Sequence, residues 1–193
     1  MPTRISGLRY LSGYLPLHEQ IALLNVIDQQ PWSDELKRRV QHYGYRYDYK
    51  KRLVDSSMYL GELPDWLRPL AERLAEDGLM EPSPDQAIIN EYLPGQGIAS
   101  HVDCEPCFGD TIVSLSLGSA CVMTFTNLRT RKEFETVLDP GSLIVLRGAA
   151  RYDWQHGIPA RKTDTLHSEV IKRGRRVSVT FRQVMLDRLS TDS

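Results

Sequence analysis

The chain is predicted to be an α+β protein in which N-terminal helices flank a jelly-roll core of short β-strands. Three observations support this prediction. Two amphipathic patterns occur before residue 80, six short β-like runs follow from residue 85 onward, and turn residues separate those runs. Helices grouped ahead of many closely spaced strands are typical of a sandwich or barrel with helices packed on one side.

The first helix is predicted for residues 17–30, where apolar residues recur at spacings of three and four. They are Leu17, Ile21, Leu24 and Ile27. Pro31 ends the pattern. A second helix is predicted for residues 64–77, because a proline suits its first turn and Gly78 suits its end. Its apolar face carries Trp66, Leu67, Leu70 and Leu74.

The strands are predicted from short runs rich in Val, Ile, Thr and Phe. They occupy residues 85–93, 110–118, 120–127, 132–139, 142–148 and 175–185. Pro-Gly, Gly-Ser and Asp-Pro-Gly sequences supply turns between them. We expect a single domain over residues 1–187 and a disordered tail over residues 188–193.

The composition is that of an ordinary soluble globular protein. The 193 residues are 41% hydrophobic and 25% charged, with a net charge of −1. No apolar run approaches the roughly 18 residues that a membrane helix needs, and the N-terminus lacks the apolar core of a signal peptide. We therefore expect a monomeric, cytoplasmic protein that does not associate with membranes.

Basic residues are unevenly distributed in spite of the small net charge. They cluster within residues 37–39, 46–52 and 172–176. Any single cluster is best interpreted as a solvated loop or helix face. The three together leave open a local basic groove for nucleic acid.

The three cysteines are an odd number and do not indicate a disulfide framework. Cys104 and Cys107 form a CxxC pair, which is compatible with zinc. A structural zinc site needs four ligands, however, and no second CxxC or HxxxH follows. We therefore expect a pair of ordinary thiols at these positions.

The segment SHVDCEPCF contains the main candidate metal ligands, His101 and Asp103. In a strand, their spacing would place both side chains on one face, about 6.6 Å apart. With a distant histidine they would form the triad of two histidines and one carboxylate that is found in non-haem Fe(II) oxygenases. His156 is favoured as the third ligand because it follows a strand directly, whereas His167 falls in a polar segment that reads as a flexible loop.

The last predicted strand carries polar side chains at alternate positions. Arg176, Ser178, Thr180 and Arg182 would share one face. A strand with one solvated face would have the same pattern. If this face instead points into a barrel, the two guanidiniums need anionic partners. A small diacid could satisfy them, with Arg176 the better anchor because Arg182 could instead pair with Asp103.

Taken in order, these residues resemble the AlkB family of Fe(II)- and 2-oxoglutarate-dependent dioxygenases. The match comprises NEYLPG at residues 90–95, HVD at 101–103, His156 followed by Gly, and RVSVTFR at 176–182. The resemblance implies a double-stranded β-helix as the form of the jelly roll, with Fe(II), 2-oxoglutarate and O2 at the site. The iron ligands it implies are His101, Asp103 and His156. The cosubstrate contacts it implies are Asn90, Tyr92, Arg176, Ser178 and Arg182, where Ser178 replaces the Asn of the best-known bacterial members.

The resemblance also implies a substrate class. Residues 1–84 would hold the helices and a nucleotide-recognition lid, followed by the jelly-roll core over residues 85–186. The implied reaction is oxidative demethylation of an N-alkylated base in single-stranded DNA or RNA, in repair or RNA modification, and the lid looks more like that of RNA- or tRNA-acting homologues. The candidate substrate contacts are Glu105, Tyr43, Tyr45, Arg46 and Tyr47. Two alternatives stay open, a protein side-chain hydroxylase or demethylase and a non-enzymatic jelly-roll binding module.

Overall fold

The computed structural model describes residues 5–166 and 168–186, except for the side chains of residues 166 and 169. The helices are α1 (Leu17–Gln29), α2 (Arg68–Glu76) and α3 (Gly148–Tyr152), with a 3-10 turn at Ser56–Met58. The strands are β1 (Leu8–Leu11), β2 (Val40–Tyr43), β3 (Gln86–Tyr92), β4 (Ile98–His101), β5 (Ile112–Gly118), β6 (Cys121–Asn127), β7 (Glu133–Leu138), β8 (Leu143–Leu146), β9 (Trp154–Ile158), β10 (Thr163–Leu166), β11 (Glu169–Lys172) and β12 (Arg176–Arg182).

The strands form two antiparallel sheets that face each other and one separate hairpin. The major sheet has the order β1-β8-β5-β12-β3-β2, and the minor sheet has the order β4-β9-β6-β7. Strands β10 and β11 pair with each other. The predicted double-stranded β-helix with N-terminal helices is confirmed.

Alternation along β12 separates two hydrophobic cores. Val177, Val179 and Phe181 point to the outer face of the major sheet, where they belong to the same core as α1 and α2. A second core lies between the sheets and includes Ile112 of β5 and Phe125 of β6. The polar face of β12 points into this inter-sheet space, and it forms one wall of a pocket there.

All six predicted strands are present, but the N-terminal segment contributes more than helices and a lid. Strand β1 pairs with β8, and β2 pairs with β3, so both extend the major sheet. Strands β4 and β9 were not predicted, because four or five residues show too little alternation. The segment around His167, expected to be a flexible loop, is the β10–β11 hairpin. His167 itself and the predicted tail at 188–193 lie outside the described residues.

The second helix begins four residues later than predicted. Residues 64–67 form a turn in which the Pro64 carbonyl accepts hydrogen bonds from the backbone N–H groups of Leu67 and Arg68. Pro69 explains the difference, because a proline has no backbone N–H and is tolerated only in the first turn of a helix. The helix therefore starts at Arg68, where Pro69 occupies the first turn.

Within the described residues, no helix is long and apolar enough to cross a membrane.

Candidate metal centre and active-site pockets

The two candidate histidine ligands are cross-strand partners in the minor sheet. His101 ends β4 and lies directly opposite His156 in β9, with ring centroids 4.6 Å apart. Asp103 lies two residues beyond the end of β4, so the two side chains do not share one strand face. The loop nevertheless returns the carboxylate, and one potential ligand atom from each of the three residues lies within 4.8 Å of the others.

A backbone carbonyl orients His101, and a glycine lets its strand lie close to the strand of His156. Nδ1 of His101 lies 2.8 Å from the carbonyl oxygen of Ala99. A carbonyl only accepts, so Nδ1 carries the proton and Nε2 keeps its lone pair for a metal. Gly157 allows β4 to approach β9 closely, since a Cβ there would lie 2.9 Å from Ser100 Cα and N.

The two oxygens of the Asp103 carboxylate face different partners, an arginine and a histidine. Its Oδ1 accepts two hydrogen bonds from Arg182, from Nε at 2.9 Å and from Nη2 at 2.5 Å. Its Oδ2 lies 3.5 Å from Nε2 of His156. Arg182 therefore leaves one carboxylate oxygen available as a monodentate ligand.

The protonation states suit a metal centre. Burial would raise the pKa of Asp103, but Arg182, with His156 and His101, holds it well below its usual range. Burial lowers the pKa of His156 to about 4, although the Asp103 charge opposes that shift. At neutral pH the site thus offers an ionised carboxylate from Asp103 and a neutral imidazole from His156, the forms in which these groups bind metals.

The loop that carries Asp103 is held from beneath by the buried guanidinium of Arg151. This group donates hydrogen bonds to three backbone carbonyls, those of Asp103 at 2.9 Å and of Cys104 and Gly109 at 3.3 Å each. Arg151 is 2% exposed. Because the charge is satisfied by carbonyls of one loop, Arg151 fixes the backbone on which the carboxylate ligand stands.

We therefore expect Arg151→Met to lower the free energy of unfolding by about 3 kcal/mol, the scale of lost hydrogen bonds from a charged donor. The metal affinity should fall at least about tenfold, as it does when groups that orient metal ligands are removed. Urea unfolding and metal titration measure the two effects. Arg129→Met is the matched control, since Arg129 is exposed. Equal behaviour of the two variants would contradict the role of Arg151.

Cys104 and Cys107 form a disulfide in the same loop, with their Cα atoms 5.3 Å apart. The expectation of two ordinary thiols is therefore wrong. Both sulfurs lie 3.3 Å from the carbonyl oxygen of Arg52. Arg52 in turn donates a hydrogen bond to the carbonyl of Val102, between the two ligand positions of the HxD motif, at 3.1 Å. The sequence spacing allowed a disulfide, but sequence could not show that the loop would bring the sulfurs together.

An inner pocket extends from the metal ligands into the space between the sheets. Its polar wall is formed by adjacent strands of the major sheet, in which Arg176 pairs with Tyr92 and Ser178 pairs with Asn90. Thr180 and Arg182 continue this wall toward Asp103. The structure thus brings the predicted polar face of β12 together with the predicted NEY segment.

Arg176 is the strongest sign that the inner pocket receives an anion. It is 3% exposed, and its Nη2 donates a hydrogen bond to Ser116 Oγ at 2.9 Å. Its Nε and Nη1 are buried without a hydrogen-bond partner among the described residues. A buried guanidinium with unused donors, and with no carboxylate paired to it among the described residues, fits an anion such as a carboxylate. The residues present therefore fit both Fe(II) and a dicarboxylate.

An outer pocket opens on the other side of the same ligands. His101, Asp103 and Asn90 line both pockets. The outer pocket has aromatic walls and basic groups, contributed by Tyr47, Tyr49, Phe108, Arg38 and Arg52. Phe108 stacks under Arg182, whose guanidinium carbon is 4.8 Å from the ring centroid. A metal held by the triad would be reached from both sides.

The candidate substrate contacts are not gathered at this pocket. The alternate tyrosines at positions 43, 45, 47 and 49 would share one face of an extended segment. In the structure they do not, because the chain leaves β2 at Gly44, where φ is +75° and a Cβ would meet the Asp85 carbonyl oxygen at 1.8 Å. Tyr43 packs edge-on against Trp66 on the outer side of the sheet. Of the five candidates, only Tyr47 lines the outer pocket.

The other three candidates lie away from the outer pocket's walls. Tyr45 packs against Tyr59, with ring centroids 5.0 Å apart. Arg46 is exposed and donates a hydrogen bond to Glu35. Glu105 is exposed in the loop closed by the disulfide. Sequence reasoning missed Tyr49 and Arg38 as pocket residues, although the aromatic and basic composition of residues 38–52 signalled such a surface.

The three predicted basic clusters differ in their surroundings. Arg38 and Arg52 line the outer pocket, and Lys50 and Lys51 are exposed at the neighbouring turn. Two members of the third cluster form ion pairs. Its pairs are Arg173 with Asp164, and Arg175 with Glu91 and Asp28. Among the described residues, exposed basic side chains without an ion pair therefore lie at the mouth of the site, at Lys50, Lys51 and Arg52.

Comparison with known proteins agrees with this geometry. The pattern of the 2OG-Fe(II) oxygenase superfamily matches residues 25–182. The chain is 38% identical over 203 residues to the Arabidopsis thaliana alkylated DNA repair protein ALKBH8 homolog, covering 93% of this chain and 59% of that protein. It is 40% identical over 202 residues to the mouse tRNA (carboxymethyluridine(34)-5-O)-methyltransferase ALKBH8, covering 92% of this chain and 30% of that protein.

Among solved structures, OsALKBH1 superposes with a TM-score of 0.71 at 17% identity, covering 95% of this chain and all of that one. At this identity the likeness concerns the fold. The sequence relatives indicate the family to which the chain belongs. The matched region and the spacing of the metal ligands support the same family. The chain therefore belongs to the AlkB family of 2OG-Fe(II) oxygenases, and its pocket residues fit Fe(II) and a dicarboxylate such as 2-oxoglutarate.

Proposed function

We propose that this dioxygenase oxidises an alkyl group on a base of single-stranded nucleic acid, with RNA as the first candidate. The observation that carries the proposal is the outer pocket, in which aromatic rings and arginine side chains stand directly beside the metal ligands. Aromatic faces stack on bases without requiring a given sequence, and arginines bind phosphates. A base bearing the group to be oxidised must leave its stack to reach such a site.

The metal ligands in this proposal are His101, Asp103 and His156. Arg176 would bind the carboxylate of 2-oxoglutarate that lies farther from the metal, because its Nε and Nη1 are buried and have no hydrogen-bond partner in the described part of the chain. Asn90, Tyr92 and Ser178 surround the same space. Arg182 acts on the metal ligand instead, since two of its donors are used on Asp103.

With these groups bound, Fe(II) and 2-oxoglutarate supply the oxidation of a C–H bond by O2, with release of succinate and CO2. The chain's own residues provide positioning. Arg182 holds Oδ1 of Asp103 and so turns Oδ2 toward His156. Phe108 and Tyr47, with ring centroids 5.5 Å apart, form an apolar wall that excludes water from one side of the outer pocket.

The turn at residues 48–53 would bind the nucleic-acid strand on both sides of the inserted base. The Asp48 carboxylate accepts hydrogen bonds from the backbone N–H groups of Lys50 and Lys51 at 2.9 Å each, which orders the turn. Their ammonium groups are left exposed beside Arg52. We propose that these lysines bind backbone phosphates, so that affinity should fall as salt concentration rises.

The relatives suggest the first substrates to test. The mouse relative is named for carboxymethyluridine at position 34 of tRNA, and the plant relative for repair of alkylated DNA. Both spans are partial, so neither activity is assigned to this chain. We propose tRNA ahead of DNA, with a single domain over residues 1–187 acting as a monomer in the cytoplasm.

The testing experiment measures succinate release and base oxidation with Fe(II), ascorbate and 2-oxoglutarate. Substrates are methylated single-stranded DNA, methylated RNA, tRNA with substituted uridines, and methylated peptides. We expect turnover of a nucleic acid, and at least a tenfold loss on Tyr47→Ala, the scale of one lost base stack. Tyr59→Ala is the matched control, since Tyr59 is half exposed outside the pocket. Turnover of peptides alone would overturn the proposal in favour of a protein side-chain oxygenase.

A further inference from the structure

Arg38 is placed where the inner and outer pockets meet. It lies in the segment before β2 and is half-buried. Its Nε donates a hydrogen bond to Oδ1 of Asn90 at 2.9 Å. Its guanidinium carbon lies 5.9 Å from the ring centroid of Tyr92 and 6.0 Å from that of Tyr49. Tyr92 lines the inner pocket and Tyr49 the outer one, so one side chain touches both walls.

The hydrogen bond to Asn90 determines which end of its amide is available. An asparagine amide has an accepting oxygen and a donating nitrogen, and it can be turned by half a rotation with little change in shape. A guanidinium has donors and no acceptor. Arg38 is therefore compatible only with the amide orientation in which the Asn90 oxygen faces it and the NH2 group faces away.

The orientation matters because 2-oxoglutarate presents acceptors. Its two carboxylates and its keto group have no hydrogen to donate. Asn90 is 8% exposed and lines the inner pocket beside Arg176 and Ser178. With its oxygen held by Arg38, Asn90 offers only NH2 donors to that pocket. Without Arg38, the reversed amide would place an oxygen against an anion and leave the NH2 group unused.

We propose that Arg38 is a positioning residue for the cosubstrate, which fixes the amide orientation of Asn90 and thereby sets the affinity for 2-oxoglutarate. The inference rests on the proposed role of the inner pocket in binding 2-oxoglutarate, and it is independent of which substrate enters the outer pocket. The rings of Tyr49 and Tyr92, with centroids 6.0 and 5.9 Å from the guanidinium carbon, add the modest energy of cation–π contacts to this position of Arg38.

The test is a double-mutant cycle on equilibrium binding of 2-oxoglutarate to the Fe(II)-loaded protein without O2, measured by calorimetry. Arg38→Met should raise the dissociation constant about tenfold, the effect of one hydrogen bond of about 1.4 kcal/mol. Arg38→Lys keeps a donor and should recover most of that loss. Asn90→Ala should also weaken binding, and Arg38→Met should have little further effect in the Asn90→Ala background.

Arg39→Met is the matched control. Arg39 is adjacent in sequence but pairs with Glu91, which keeps a second partner in Arg175. Its dissociation constant should stay within about twofold of wild type. The proposal is overturned if Arg38→Met leaves the dissociation constant unchanged, or if the loss is as large in the Asn90→Ala background as in wild type. Failure to turn over any nucleic acid would instead overturn the proposed substrate and leave these binding results unaffected.

Discussion

Replacing His101 with alanine is expected to abolish Fe(II) binding and succinate formation while leaving the fold intact. His101 supplies one of three potential ligands and stands at the edge of the inter-sheet space, where it is only partly buried. Loss of a group that merely orients a ligand costs about 10- to 100-fold in metal affinity or activity. Loss of the ligand itself should therefore exceed about 100-fold in both. Metal titration and succinate release with 2-oxoglutarate and ascorbate measure the effects.

The matched control is His18→Ala, which removes an exposed imidazole on α1. It should bind Fe(II) and form succinate as wild type does, and both variants should unfold at similar urea concentrations. Asp103→Ala is a less clean test of the metal, because it also removes the partner of a largely buried Arg182. Wild-type Fe(II) affinity in the His101→Ala variant would exclude the proposed metal centre.

The sequence predicted the parts of this site that short spacings determine. Alternation along residues 176–182 correctly placed four polar side chains in one wall, because each strand residue reverses the direction of the last. His156 was chosen over His167 for its rigid setting, and the structure places it in a strand opposite His101. Asp103 was paired with His101 on the assumption that both lie in one strand, whereas β4 ends at His101 and Asp103 lies in the loop after it.

What the sequence could not supply depends on contacts between distant segments. Arg38 and Asn90 are 52 residues apart, and only the pairing of β2 with β3 brings them together. The tyrosines from Tyr43 onward do not share one face, because the backbone turns at Gly44, which has a positive φ. Likewise, no local pattern shows that Arg151 supports the loop of Asp103, since the two lie 48 residues apart.

The two arginines of β12 illustrate how one alternating pattern can serve two purposes. The sequence could not decide whether Arg182 binds 2-oxoglutarate or Asp103. In the structure, Arg182 donates two hydrogen bonds to Asp103. Among the described residues, Arg176 by contrast is bonded only to a serine hydroxyl, through one of its nitrogens. One guanidinium is thus already neutralised within the protein, while the other lacks its anion. Removing the one should therefore lower the free energy of unfolding, and removing the other should leave it unchanged or raise it.

Arg176→Met is accordingly expected to abolish binding of 2-oxoglutarate without destabilising the cosubstrate-free protein. A buried cation without an anion contributes little to stability, and an apolar residue of similar length removes its desolvation cost. The free energy of unfolding should change by less than about 1 kcal/mol or rise. Adding 2-oxoglutarate at 100 times its dissociation constant should stabilise the Fe(II)-loaded wild type by about 2.7 kcal/mol and the variant not at all. Urea unfolding under anaerobic conditions measures both.

Arg182→Met is the matched comparison on the same face of β12. It strips Asp103 of its arginine partner, and breaking a buried pair on one side typically costs about 3 kcal/mol or more. That loss should appear in the metal-free protein and shrink when Fe(II) is bound, because a metal then takes over the carboxylate's charge. Suppose instead that Arg176→Met destabilised the free protein as much as Arg182→Met. The guanidinium of Arg176 would then stabilise the fold, and the inner pocket would have no unpaired cation to bind a dicarboxylate.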